Sequence, residues 1–216
     1  MWAQLLALPE EKRVYRSVWA AYMIAKACLN VREQAHAIRY FEMARDLQEK
    51  GFKDSLDLGF SSYGWQALAE YEEGEYVESL HHYLKHMDIS SIRWWCKNIS
   101  VLPEEEYKKV INDKLARKVF IAWYLSKNPW HMKGNMSKGS VIQWLRDEIA
   151  ENKISIDAQY VDKMALLYYN VGEYTTAQEW LASVDEPTAL GRWVQAKLLL
   201  LCLKRGIIGW DFLQQI

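Results

Sequence analysis

From Val14 to Leu29 the apolar residues Val14, Val18, Ala21, Ala25 and Cys28 recur at steps of three and four, the period of one buried helix face. A second helix is expected at about residues 33 to 49, with Ala37, Phe41 and Ala44 on one face and Gly51 as its stop. The next pair runs from Leu58 to Glu72 and from Tyr76 to Met87, and the short polar turn Glu73-Gly74-Glu75 makes these two antiparallel neighbours. The same periodicity returns at Ala158 to Val171 and Tyr174 to Val184, where Pro187 closes the pair, and a last helix is expected from Thr188 to Lys204. Start signals stand at Leu8-Pro9-Glu10-Glu11 and Leu102-Pro103-Glu104-Glu105: proline suits the first turn, and the glutamates complement the positive end of the helix dipole.

The stretch 88–157 is less regular. Helical pattern covers Pro103 to Ser126 and Lys138 to Glu151, and between them Asn128 to Asn135 combines turn formers with Trp130 and Met132 and reads as a loop. Outside this stretch one signature occurs twice: Gly74, Tyr76, Ser79, Tyr83 and Gly172, Tyr174, Ala177, Leu181, each preceded seven residues earlier by an alanine, Ala67 and Ala165. A recurrence of this kind marks stacked helical hairpins.

Composition agrees. With 10 Gly and 4 Pro in 216 residues the chain has few of the turn formers a sheet protein needs. The 27 basic and 28 acidic residues balance to a net charge of -1, so no overall field draws nucleic acid or anionic lipid. Cys28, Cys96 and Cys202 are far apart, form no CxxC pair and sit in apolar helical pattern, where they read as reduced core residues. No run approaches the roughly 18 apolar residues of a membrane span. The start, Met1 to Leu8, is apolar but lacks the basic residues and cleavage site of a secretion signal, which favours the cytoplasm unless a signal has been removed. Both ends are apolar, with Trp2, Leu5 and Leu6 at one and Ile207, Ile208, Trp210, Phe212 and Leu213 at the other. They suit a piece of a longer array and leave room for self-association through the terminal helices.

The pattern resembles the tetratricopeptide repeat, whose hairpin has a small residue in its first helix, a Gly-x-Tyr turn, and alternating small and bulky residues on its second. The hairpins 58–87 and 158–184 carry the motif, with His86 and Val184 at its last position. In the hairpin 14–49, Arg32 and Gln34 replace the glycine and tyrosine, while Ala25, Ala37, Phe41 and Ala44 keep register. The resemblance implies an all-α, right-handed superhelix of antiparallel helix pairs over 1–216, with a diverged region 88–157 and C-terminal helices over 188–216. It also implies a concave groove, lined by the first helix of each hairpin, that holds a partner protein or peptide.

Helical spacing assigns to that groove Trp19, Tyr22, Lys26 and Asn30, then Gly64, Leu68 and Tyr71, then Asp162, Leu166, Tyr169 and Asn170. Such a set suits an extended peptide, its backbone met by Asn30 and Asn170 and its side chains by the tyrosines. Only Lys26 and Asn30 approach the family's clamp for a terminal carboxylate, so that ligand is not expected. Eleven tryptophans suggest an alternative, a carbohydrate-binding domain that stacks sugars on Trp94-Trp95 or on Trp123, Trp130 and Trp144. His82, His86 and Glu78 have zinc-like spacing, but nothing supplies a further ligand or a base, and His86 falls on a packing position. With no phosphate-binding glycine loop and no nucleophile elbow either, the expected function is a protein-binding scaffold without catalysis, metal or cofactor.

Overall fold

A computed structural model describes residues 1–126, 141–151 and 156–201, with the backbone alone for 202–204. The Asn128–Asn135 loop, the Cys202 side chain and the apolar run after Lys204 lie outside what is described. Among the described residues all regular structure is helical and neighbouring helices pack on one another. The chain, read from sequence as one domain, gathers into two compact units, Met1–Val101 and Leu102–Ile216.

The first unit holds α1 (Trp2–Leu6), α2 (Glu10–Arg13), α3 (Ser17–Asn30), α4 (Gln34–Glu49), α5 (Leu58–Glu72), α6 (Tyr76–His86) and α7 (Ile89–Ile99). In α3 and α4 most of the predicted stripe is the core: Val18, Ala21, Ala25, Ala37, Phe41 and Ala44 are all fully buried, whereas Val14 precedes α3 and Cys28, expected in the core, is only half-buried near the helix end. Small residues at these positions let the two helix backbones approach, and Phe41 fills the space beside them. In α5 and α6 the corresponding pair is Ala67 and Ser79, and the Ser79 hydroxyl donates to the Ala67 carbonyl at 2.7 Å, so its polar group is satisfied inside the contact. Sequence periodicity passes over α7. Its signal is local: the Asp88 carboxylate accepts from the Ser90 N–H at 2.9 Å, a helix cap, and the buried Trp95, Cys96 and Ile99 follow it.

The second unit holds α8 (Glu104–Asn112), α9 (Lys114–Leu125), α10 (Val141–Ala150), α11 (Ala158–Val171), α12 (Tyr174–Ala182) and α13 (Ala189–Lys204). The helical stretch expected over Pro103 to Ser126 is two helices. Asp113 breaks it with an extended ψ of 131°, and its carboxylate caps α9 by accepting from the Leu115 and Ala116 N–H groups at 2.9 and 2.8 Å. The buried core of this unit includes Ile111, Phe120, Ile121, Leu145, Met164, Ala165, Ala177 and Trp180.

Three turns carry the hairpins, and they are alike bond for bond. Arg32, Gly74 and Gly172 take left-handed φ angles of 61°, 86° and 87°. At each, the following glutamate (Glu33, Glu75 or Glu173) donates its N–H to the carbonyl five residues back, at 2.9, 2.9 and 3.0 Å. The left-handed residue itself donates three residues back, at 3.0, 3.1 and 3.1 Å. This is the Schellman arrangement, which satisfies the last carbonyls of a helix and reverses the chain. The three glutamates share one conformation, with ψ of 64°, 65° and 67°. Arg32 therefore does the work of the missing glycine, at the steric cost of a Cβ in left-handed backbone.

Candidate functional site

In the first unit the side chains expected on the groove divide into two groups. Trp19 lies edge-on to Trp2, with ring centroids 4.1 Å apart, and borders a pocket of about 340 Å³ with Tyr15, Arg16, Lys53, Asp54 and Leu58. Tyr22 is half-buried, packs on Phe41 at 5.7 Å and touches both core clusters of α3 and α4, so it carries the fold as well as the surface. Its hydroxyl is hydrogen-bonded to the Trp65 side chain, and burial, partly countered by that bond, pushes the phenol up. The Lys26 ammonium stands over the Trp65 ring. Burial pushes Lys26 down to about 8, because a desolvated ammonium is less favourable than the neutral amine. Trp65 was passed over by the helical spacing, although it stands one residue beyond Gly64. Asn30 is exposed at the end of α3 and Leu68 is half-buried.

Tyr71 opens the second group. It meets Tyr76 at 5.1 Å and Trp94 of α7 at 4.7 Å, both edge-on. Tyr83 approaches the same Trp94 at 6.5 Å. Burial first, and then the neighbouring Tyr71, Asp88, Glu72 and Glu70, push the Tyr83 phenol well up. Trp94 remains 41% exposed while Trp95 is fully buried and donates its Nε1–H to the Tyr76 carbonyl at 3.0 Å. Adjacent residues on a helix point in different directions, so Trp94-Trp95 presents one ring to solvent, not a two-ring platform.

The second unit repeats this aromatic arrangement. Tyr169 meets Tyr174 at 5.6 Å and Trp193 of α13 at 6.4 Å, and Trp193 is 48% exposed. Here a cation is already present: the Lys197 ammonium lies 5.2 Å from the Trp193 centroid. Leu166 is half-buried and Asn170 exposed. Asp162, expected on the groove, is fully buried instead. Its carboxylate accepts from the Thr188 N–H at 2.8 Å, at the start of α13, and lies against Gly191, so it joins α11 to α13. Helical spacing alone cannot separate a groove position from one covered by the next helix.

Between α4, α5 and α6 runs a polar chain that the sequence did not disclose. Arg45 donates to Ser62 at 2.7 Å and to Gln66, Gln66 donates to Glu70 at 2.8 Å, and Glu70 meets His82 Nδ1 at 2.7 Å. His82 stacks on Tyr63 at 5.8 Å, and the Arg45 guanidinium lies 4.4 Å from the same ring. The two histidines of the zinc-like spacing have different surroundings: His82 faces Glu70, while His86 packs on Phe60 at 5.3 Å and against Gly64, its Nδ1 buried without a partner. Among the described residues no group of histidine, cysteine and carboxylate side chains is arranged to hold a metal ion.

Trp123 and Trp144 are half-buried within their unit, against Phe120 at 5.3 Å and Tyr107 at 5.7 Å. No described helix is long and apolar enough to cross a membrane. Comparison with protein-family models, with curated proteins and with solved structures finds no match to this chain in any of the three.

Proposed function

We propose that this chain is a tetratricopeptide-like scaffold, a right-handed superhelix of antiparallel helix pairs, that binds an extended segment of a partner protein along the first helices of its hairpins. The observation that carries the reading is the identity of the three turns at Arg32, Gly74 and Gly172. At each of the three the second helix starts two residues on, at Gln34, Tyr76 or Tyr174, as a repeated hairpin requires. On the first helices lie half-buried aromatic rings, Tyr22, Tyr71 and Tyr169, bordered by the exposed amides Asn30 and Asn170. Rigid aromatic plates beside hydrogen-bonding amides suit a peptide that offers side chains and backbone together. The near-zero net charge favours a protein over a nucleic acid.

A photo-crosslinking amino acid tests this directly in cells. Placed at Asn30 or Asn170 it should yield discrete adducts with a partner protein, whereas at the exposed Arg39 or His81 of the second helices it should yield few. Equal labelling from both sets, or none from the first, would refute the groove.

A further inference from the structure

The pocket of about 340 Å³ that Trp19 borders at the start of α3 is lined by two kinds of side chain. Trp19 and Leu58 are half-buried, and Leu58 packs on the core of Val18, Ala21, Ala44 and Leu47, so they belong to the folded body. Tyr15 and Leu56, by contrast, are 77% and 66% exposed, which leaves apolar surface uncovered at the pocket. The charged members are Arg16, Lys53 and Asp54. Asp54 is already engaged: its two carboxylate oxygens accept from the Leu58 and Gly59 N–H groups at 2.9 and 2.8 Å, at the start of α5. Asp57, the next carboxylate along the loop, faces Gln48 at 3.4 Å and lies outside the lining. Arg16 and Lys53 are both exposed, and among the described residues neither side chain has a carboxylate or hydrogen-bond partner. The pocket therefore presents two unneutralised cations beside uncovered apolar surface.

Resting on the peptide-binding reading, we propose that the bound segment places a leucine or aromatic side chain in this pocket and the carboxylate of an adjacent aspartate or glutamate at Arg16 and Lys53. The ion pairs supply the charge that the lining lacks, and they fix the register of the segment on α3. A peptide fits better than a nucleic acid, because nucleic-acid binding grows with the number of phosphates neutralised, and two cations on a chain of net charge -1 neutralise few.

Random short peptides displayed on phage and selected on the full-length chain provide the probe. Selected sequences should share an acidic residue beside a leucine or aromatic one. Replacing that acid by its amide should weaken binding about fivefold at low salt, the size of a favourable exposed ion pair, and less at high salt. Arg16→Gln with Lys53→Gln should remove the difference between acid and amide peptides, and Arg16→Glu with Lys53→Glu should reverse it. Arg39→Gln with Lys50→Gln changes the net charge equally at exposed cations outside the pocket, and should leave the difference intact. Lys53 bonds to Val14 through its backbone N–H, which these substitutions keep, so the variants should fold. Peptides that share no acidic residue, or whose acid preference survives the Arg16 and Lys53 changes, overturn the anionic subsite and leave the groove standing. A single-stranded oligonucleotide that binds through Arg16 and Lys53 more tightly than any selected peptide assigns the cations to phosphates and overturns it too. Failure to select any peptide overturns both readings.

Discussion

The hairpins that turn at Gly74 and Gly172 share a backbone and differ in what fills it. In register, Gly64 of α5 corresponds to Asp162 of α11, and Glu70 to Tyr168. Gly64 leaves room for the His86 imidazole, which a Cβ there would strike at 2.9 Å, whereas Asp162 reaches out to cap α13. Glu70 links Gln66 and Arg45 to His82 in one polar chain, whereas the Tyr168 hydroxyl faces that of Tyr124 at 3.5 Å. The turn is therefore a repeated local device, while each joint between helices is an individual solution. Local geometry recurs because it depends on few residues; a joint depends on side chains from several helices at once.

The largest expected effect separates the two joints. Glu70→Ala leaves His82 and Gln66 facing an emptied, mostly buried site and should cost about 3 kcal/mol in urea unfolding of the full chain. Tyr168→Phe, at the equivalent position, removes the long contact with the Tyr124 hydroxyl and a hydrogen bond with the Trp180 side chain, and should cost about 1.5 kcal/mol. Equal losses would mean that the polar chain has no special weight.

The turns should behave alike where the joints do not. A Cβ in left-handed backbone costs about 1–2 kcal/mol, and glycine's extra freedom in the unfolded chain offsets part of it. Gly74→Ala and Gly172→Ala should each destabilise by about 1 kcal/mol, and neither meets an atom within 4 Å, so the effect is conformational. Arg32→Gly should do the reverse and stabilise by about 0.5 kcal/mol. A loss on Arg32→Gly would show that the arginine side chain contributes more than its backbone strain costs.

The smallest effect concerns Lys26. Its folded value is pushed down to about 8 from an ordinary 10.5. Between those values the unfolded chain holds a proton that the folded protein has released, so the lysine makes stability rise with pH across this window. Below about 8 both states are protonated and the contribution is flat. Lys26→Met should remove the rise, seen as a difference in melting temperature between the two proteins that changes from pH 8 to 10 and is constant from pH 6 to 7.5. Buried phenols such as Tyr83, pushed up by desolvation, act in the opposite sense above pH 10 and cancel in the difference.

Much of the hairpin architecture was legible because it is written in neighbouring residues. Alanines at three and four residue steps and glycines with a tyrosine two residues on marked α3 to α6 and α11 to α13 to within a few residues, and proline followed by glutamates marked the starts of α2 and α8. Short-range capping marked the rest less visibly: Asp88 starts α7 and Asp113 divides α8 from α9, each through a side chain bonded two residues ahead. The candidate site was legible only in part. Tyr71 and Tyr169 were found by spacing, but their partners Trp94 and Trp193 stand on other helices, and Trp65 became part of the surface only through Lys26 and Tyr22.

The sequence by itself determined that the chain is helical, where three of its hairpins turn, and which small residues let their helices approach, because periodicity and turn chemistry act within a few residues. Tertiary structure alone decided that Asp162 is a buried joint rather than a groove residue, that Arg45, Gln66, Glu70 and His82 form one chain, and that Trp94 stays half-exposed while Trp95 beside it is buried. These facts rest on contacts between residues far apart in sequence, and a helical period specifies a direction from the axis without specifying what stands there.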